Sequence, residues 1–200
     1  MSNLSGELNY NYIISNNPDD RQNQPEGRIW REPSFYYFAY GSCMCPVDLK
    51  RSLGENTHAY VMGPAILKEY QLKFYGYSPK RECGVLDVIN DKTSIVTGVL
   101  YQLPSRLSYN LDQREGVEEG LYSREIVDIC CNNQIYKNVR TYVVVNKLQQ
   151  EIAPNDWYFN VVLRGAITCG LPEEYCWDLF NKMHQLQNSH QKQFRYSLNI

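Results

Sequence analysis

The feature that most limits what this chain can fold into is the stretch from His58 to Leu103, written almost entirely in strand-like segments. Gly63-Pro64, Gly76, Ser78-Pro79 and Asn90-Asp91 punctuate it, all residue types that bend or interrupt extended backbone. Ile95 to Tyr101 reads as its clearest strand, rich in β-branched residues. Two more strands are expected at Tyr122 to Cys131 and Ile135 to Val145, joined by an Asn132-Asn133 turn. Helical signals are short and peripheral. Pro46 opens a segment that Gly54 stops, and Pro104 opens one with Leu107 and Leu111 that ends at Gly116. Two others follow Pro154 and Pro172, the first of them closed by Gly170. Strands and helices do not alternate as βαβ units would. The expected class is therefore α+β, around a curved sheet that is mostly antiparallel or mixed.

At 200 residues the chain fits one domain with tails, long enough to hide roughly 70% of its unfolded surface. Residues 1–33 are rich in Asn, Asp, Gln, Ser and Pro with little periodicity, and are read as a flexible arm. The domain is expected over 34–187, with a polar, frayed tail at 188–200. Net charge is −2 and no basic block occurs, so phosphate backbones have nothing to attract them and nucleic acid is excluded as a partner. No apolar run approaches the about 20 residues that cross a bilayer, and the polar N-terminus has no apolar signal core. Residence in the cytoplasm, away from membranes, is the expectation.

Seven cysteines at 43, 45, 83, 130, 131, 169 and 176 are read as reduced thiols in such a compartment. Neither Cys43-Met-Cys45 nor Cys130-Cys131 has a companion at zinc-binding spacing, and His58, His184 and His190 are scattered, so no metal is expected. The aromatic load, 17 Tyr with 3 Trp and 6 Phe, suits half-buried β surface and the walls of a small-molecule pocket.

Three segments go further. Tyr37-Phe38-Ala39-Tyr40-Gly41-Ser42 reads as a strand running into a tight turn. Leu111-Asp112-Gln113-Arg114-Glu115-Gly116-Val117 continues to Gly120-Leu121-Tyr122. Arg164-Gly165-Ala166 precedes Gly170-Leu171-Pro172-Glu173-Glu174-Tyr175. In this order and spacing they resemble the γ-glutamyl cyclotransferase family over residues 35 to about 186. The resemblance implies a single domain with a small mixed β-barrel and helices around its rim. It also implies a reaction without metal or cofactor. The α-amino group of a γ-glutamyl amide attacks its own side-chain carbonyl, giving 5-oxoproline and releasing the amine.

Such a reaction needs a group that takes a proton from the attacking ammonium and gives one to the departing amine, which one carboxylate can do. Glu115 matches the family's catalytic Glu. Without that match it is an exposed helix-terminal residue beside Arg114, Glu118 and Glu119. Tyr37, Phe38, Ala39, Tyr40, Gly41 and Ser42 are expected to cradle substrate, the turn's backbone N–H groups forming a nest for a carboxylate or oxyanion. Tyr37 and Phe38 lie on opposite strand faces, so part of this stretch is core. Tyr158, twelve residues before Gly170, matches a pocket Tyr of the family; its other reading is core packing beside Trp157 and Phe159. Arg124 and Arg164 read equally well as surface ion-pair residues.

The chain departs from the family at Cys43, where the usual pattern has Asn after Tyr-Gly-Ser. Three readings follow: an enzyme acting on a small γ-glutamyl molecule; a non-catalytic binding module of the same fold; and a redox sensor using Cys43 and Cys45. A Cys43 nucleophile with His58 as base is a further rival, though nothing in the sequence brings the two together. The leaving group and the oligomeric state, homodimer included, stay open.

Overall fold

The computed structural model describes residues 32–198, with side chains through 189. The expected arm therefore lies almost wholly outside the described residues. Among the described residues, five strands form a closed barrel: β1 (Ser34–Ala39), β2 (Val61–Ser78), β3 (Cys83–Pro104), β4 (Tyr122–Cys131) and β5 (Gln134–Val144), ordered β1-β3-β2-β4-β5. Four helices of the described residues surround it: α1 (Pro46–Leu53), α2 (Ser108–Glu115), α3 (Asp156–Thr168) and α4 (Glu173–Leu198). The backbone of α4 crosses position 188, where a frayed tail was expected, and continues to Leu198.

β1 pairs antiparallel with β3 along its whole length, from Ser34 opposite Pro104 to Ala39 opposite Val99. Its other edge meets β5 in parallel, Tyr37 opposite Arg140, and this contact makes the barrel mixed. The punctuation between 58 and 103 did not cut the chain into many strands. β2 and β3 are 18 and 22 residues long, with register shifts at Val61/Gly63, Lys68/Tyr70 and Lys73/Gly76. The interrupting residues are absorbed as irregularities, which bend a strand without ending it. Opposite Glu69, whose φ is 63°, the Asp91 carboxylate accepts from Thr93 N at 3.0 Å and Ser94 Oγ at 2.7 Å, tying off the extra residues of β3. Asn132 and Asn133 both take positive φ, 51° and 61°, as a two-residue hairpin turn of primed type requires.

The core is continuous. Phe38, Phe74, Leu100, Tyr101, Ile129 and Val139 fill it without exposure above 0%. α3 lies against the single 3-10 turn Ser42–Met44 that follows β1. That approach requires Gly165, because a Cβ there would stand 2.5 Å from Cys45 N and 2.7 Å from the Met44 carbonyl carbon. The turn is also gripped from the barrel, since Tyr101 Oη donates to Met44 O at 3.0 Å and Cys43 O at 3.2 Å.

Candidate active site

A cleft of about 630 Å³ opens where the end of β1, the end of α2 and the β2–β3 turn meet. Tyr37, Tyr40, Gly41, Ser42, Glu115 and Tyr158 line it, so six of the eight residues singled out in the sequence share one cleft. Phe38 and Ala39 do not. Each is at most 1% exposed and packed in the core, and neither lines the cleft. The period-2 alternation of β1 puts Tyr37 on the cleft side, so its neighbour Phe38 cannot reach substrate. These two are corrected to core residues.

Each side chain near the end of α2 does a separate job. Leu111 is buried. Asp112 fastens the helix to the barrel, accepting from Tyr142 Oη at 2.7 Å and from Arg124 Nε at 2.8 Å, with Arg124 Nη2 as a further partner. Burial pushes the Asp112 carboxyl up, but the Arg124 and Tyr142 bonds outweigh it and hold it below the usual range. Arg114 turns to α1, and Glu115, half-buried, turns to the cleft. Gly116 closes the helix at φ 66°, its N–H bonding back to Asp112 O and Gln113 O.

Glu115 Oε1 accepts the Cys43 thiol at 3.0 Å, and Arg114 Nε donates to the same sulfur at 2.9 Å. Burial pushes the Cys43 thiol up to about 12; Arg114 pulls the other way and Glu115 reinforces the rise. A proton-bearing thiol wedged between a guanidinium and a carboxylate is poorly suited to nucleophilic attack. His58 lies 3.3 Å from Asn56 Oδ1 in an exposed turn and does not line the cleft, so the Cys43–His58 pairing is not formed.

Across the cleft the walls are tyrosine. Tyr158 Oη accepts from Leu86 N at 3.0 Å, and Tyr122 Oη donates to Leu86 O at 3.2 Å, so one backbone unit of β3 anchors two rings. Tyr40 Oη donates to Tyr142 O at 2.5 Å. Burial raises Tyr37, Tyr40, Tyr122 and Tyr158 well above the usual phenol value, leaving neutral hydroxyls at physiological pH. A Cβ on Gly41 would lie 3.0 Å from Tyr158 Oη, so glycine here allows close approach. The N–H groups of Gly41, Ser42 and Cys43 have no hydrogen-bond partner among the described residues.

Sequence reading missed Arg114, Tyr122, Tyr142 and Arg81 as lining residues. Leu121-Tyr122 already stood in the second motif, so that ring was within reach. Tyr142 and Arg81 carry no local signal. Arg124 and Arg164 do not line the cleft; Arg124 serves Asp112 and Arg164 is exposed.

The chain shares this architecture with solved structures. A crystal structure of YkqA from Bacillus subtilis superposes with a TM-score of 0.69 at 34% identity, covering 76% of this chain and 55% of that one. A structure of a gamma-glutamyl cyclotransferase gives 0.66 at 24% identity, over 74% and 86% of the two chains. The model of the AIG2-like family matches residues 95–179, which include Glu115 and Tyr158. The chain has the gamma-glutamylcyclotransferase-like fold. By sequence YkqA is 38% identical over 132 residues, 66% of this chain, and the chain spans 46% of YkqA's length. The gamma-glutamylcyclotransferase of Mus musculus is 28% identical over 157 residues, 75% of this chain and 80% of that one. No helix among the described residues is long and apolar enough to cross a membrane.

Proposed function

We propose that the protein is a γ-glutamyl cyclotransferase of the cytoplasm, that residues 34–187 carry the activity, and that Glu115 is its acid/base. The ligand is a small γ-glutamyl amino acid, amine or peptide. Its α-ammonium gives a proton to Glu115, the freed amine attacks the γ-carbonyl carbon, and a tetrahedral oxyanion forms. Glu115 returns that proton to the departing amine as the C–N bond breaks. The second proton of the attacking nitrogen passes by the same carboxylate to the released amine, leaving 5-oxoproline and an ammonium product. The unpartnered N–H groups of Gly41, Ser42 and Cys43 are suited to anionic oxygen, whether a substrate carboxylate or the oxyanion. Neutral tyrosines make much of the remaining wall, offering apolar faces and uncharged hydroxyls. This chemistry calls for no metal or cofactor.

The observation that carries the reading is the half-buried Glu115 carboxylate, set in the cleft wall with the Gly41–Cys43 turn. The test is 5-oxoproline release from a panel of γ-glutamyl amino acids and amines, comparing wild type with Glu115→Gln. General acid–base catalysis contributes on the order of 10²–10⁴-fold, and the variant should lose an amount in that range. No turnover by folded wild type on any member of the panel would favour a binding module instead.

A further inference from the structure

We propose that Cys43 is a positioning residue for Glu115, its thiol fixing one carboxylate oxygen while Arg114 fixes the sulfur. The role rests on the reading of Glu115 as the acid/base. Glu115 is the last residue of α2, with the helix closed by Gly116 immediately after it. Its Oε1 accepts from Cys43 Sγ at 3.0 Å, and Oε2 has no hydrogen-bond partner among the described residues. One oxygen is thus occupied and the other is left for a substrate proton.

The sulfur is held in turn. Arg114 Nε donates to it at 2.9 Å, Nη1 donates to Ser52 Oγ at 2.5 Å, and Nη2 reaches Asp48 Oδ2 at 2.5 Å and Ser42 Oγ at 3.3 Å. The guanidinium therefore cannot swing away without breaking contacts to α1 and to the turn. Because burial keeps the thiol protonated, Cys43 can only donate toward Glu115 and only accept from Arg114. A relay with one direction at each end sets the carboxylate's orientation. Asn, the residue the resembled pattern carries here, offers both donors and an acceptor, so the thiol is not a neutral replacement.

The experiment measures kcat and KM on the best substrate of the γ-glutamyl panel for wild type, Cys43→Ala, Cys43→Ser and Glu115→Gln, with thermal unfolding as a check on folding. Loss of alignment costs on the order of ten- to a hundredfold in rate, so Cys43→Ala should lower kcat by that much and leave KM near the wild-type value. Cys43→Ser, which restores a donor, should recover most of the rate. A second, activity-free readout is the S–H Raman band isolated as wild type minus Cys43→Ala, which should move when Glu115→Gln replaces the acceptor. Wild-type kcat in Cys43→Ala beside a dead Glu115→Gln would overturn the positioning role alone. Full activity in Glu115→Gln, or no turnover by wild type, would overturn the acid/base reading and this role with it. An S–H band indifferent to Glu115→Gln would overturn the contact itself.

Discussion

Arg114 Nη2 lies 2.5 Å from Asp48 Oδ2, and neither side chain is more than 9% exposed. The pair ties α2, which ends at Glu115, to α1. Breaking a buried pair from one side strands the other charge, which costs about 3 kcal/mol or more. Asp48→Asn should lower stability by about 3 kcal/mol, read from urea unfolding midpoints. A change within error would mean that Ser42 and Ser52 suffice to hold the guanidinium.

Gly165→Ala is expected to act through space rather than helix propensity. Alanine is the better helix former, yet its Cβ would meet backbone of the 42–44 turn, which cannot rotate aside as a side chain can. Overpacking of this kind costs about 1–3 kcal/mol. The variant should be less stable by that amount in chemical unfolding, with activity reduced because α3 pushes the turn.

Asp87 supplies a pH dependence with a definite sign. Its buried carboxylate accepts from Val144 N at 2.9 Å and Lys147 Nζ at 2.5 Å, yet burial outweighs both and raises its pKa. Above the unfolded value of about 3.9, the unfolded chain has released a proton that the fold still holds. Asp87's contribution to stability is therefore fully present below that pH and is lost as pH rises through the raised folded value. Urea midpoints between pH 4 and 7 should show wild type losing ground with rising pH relative to Asp87→Asn. The opposite slope would mean that the ion pair dominates.

Cys43 should resist alkylation. A thiol pushed up to about 12 and enclosed by Arg114 and Glu115 holds little thiolate at neutral pH. Iodoacetamide at pH 7.5, followed by peptide mass mapping, should leave Cys43 unmodified in native protein and modify it in urea. Rapid native labelling would revive the redox-sensor reading.

Helix ends and the short hairpin were legible because their signals are local. Pro46 and Gly54 bound α1, Gly116 closes α2 in left-handed backbone, and Asn132-Asn133 make the β4–β5 turn. Each is a steric property of one or two residues, which the chain carries wherever it goes. The interruptions in β2 and β3 were misread for the complementary reason. Whether Gly76 or Asn90-Asp91 ends a strand or is absorbed by it depends on the partner strand, which lies elsewhere in the sequence.

By itself, the sequence determined the α+β class, the order of elements and, through resemblance of three motifs, Glu115 and the Tyr40–Ser42 turn as candidates. Tertiary structure alone decided that β1 meets β5 and closes the barrel, that Phe38 and Ala39 are core, and that Cys43 stands between Arg114 and Glu115. Local conformation follows from the sterics of neighbouring residues. A cleft, by contrast, is assembled from contacts such as Cys43 with Glu115, 72 residues apart, and no periodicity encodes which distant side chains will share it.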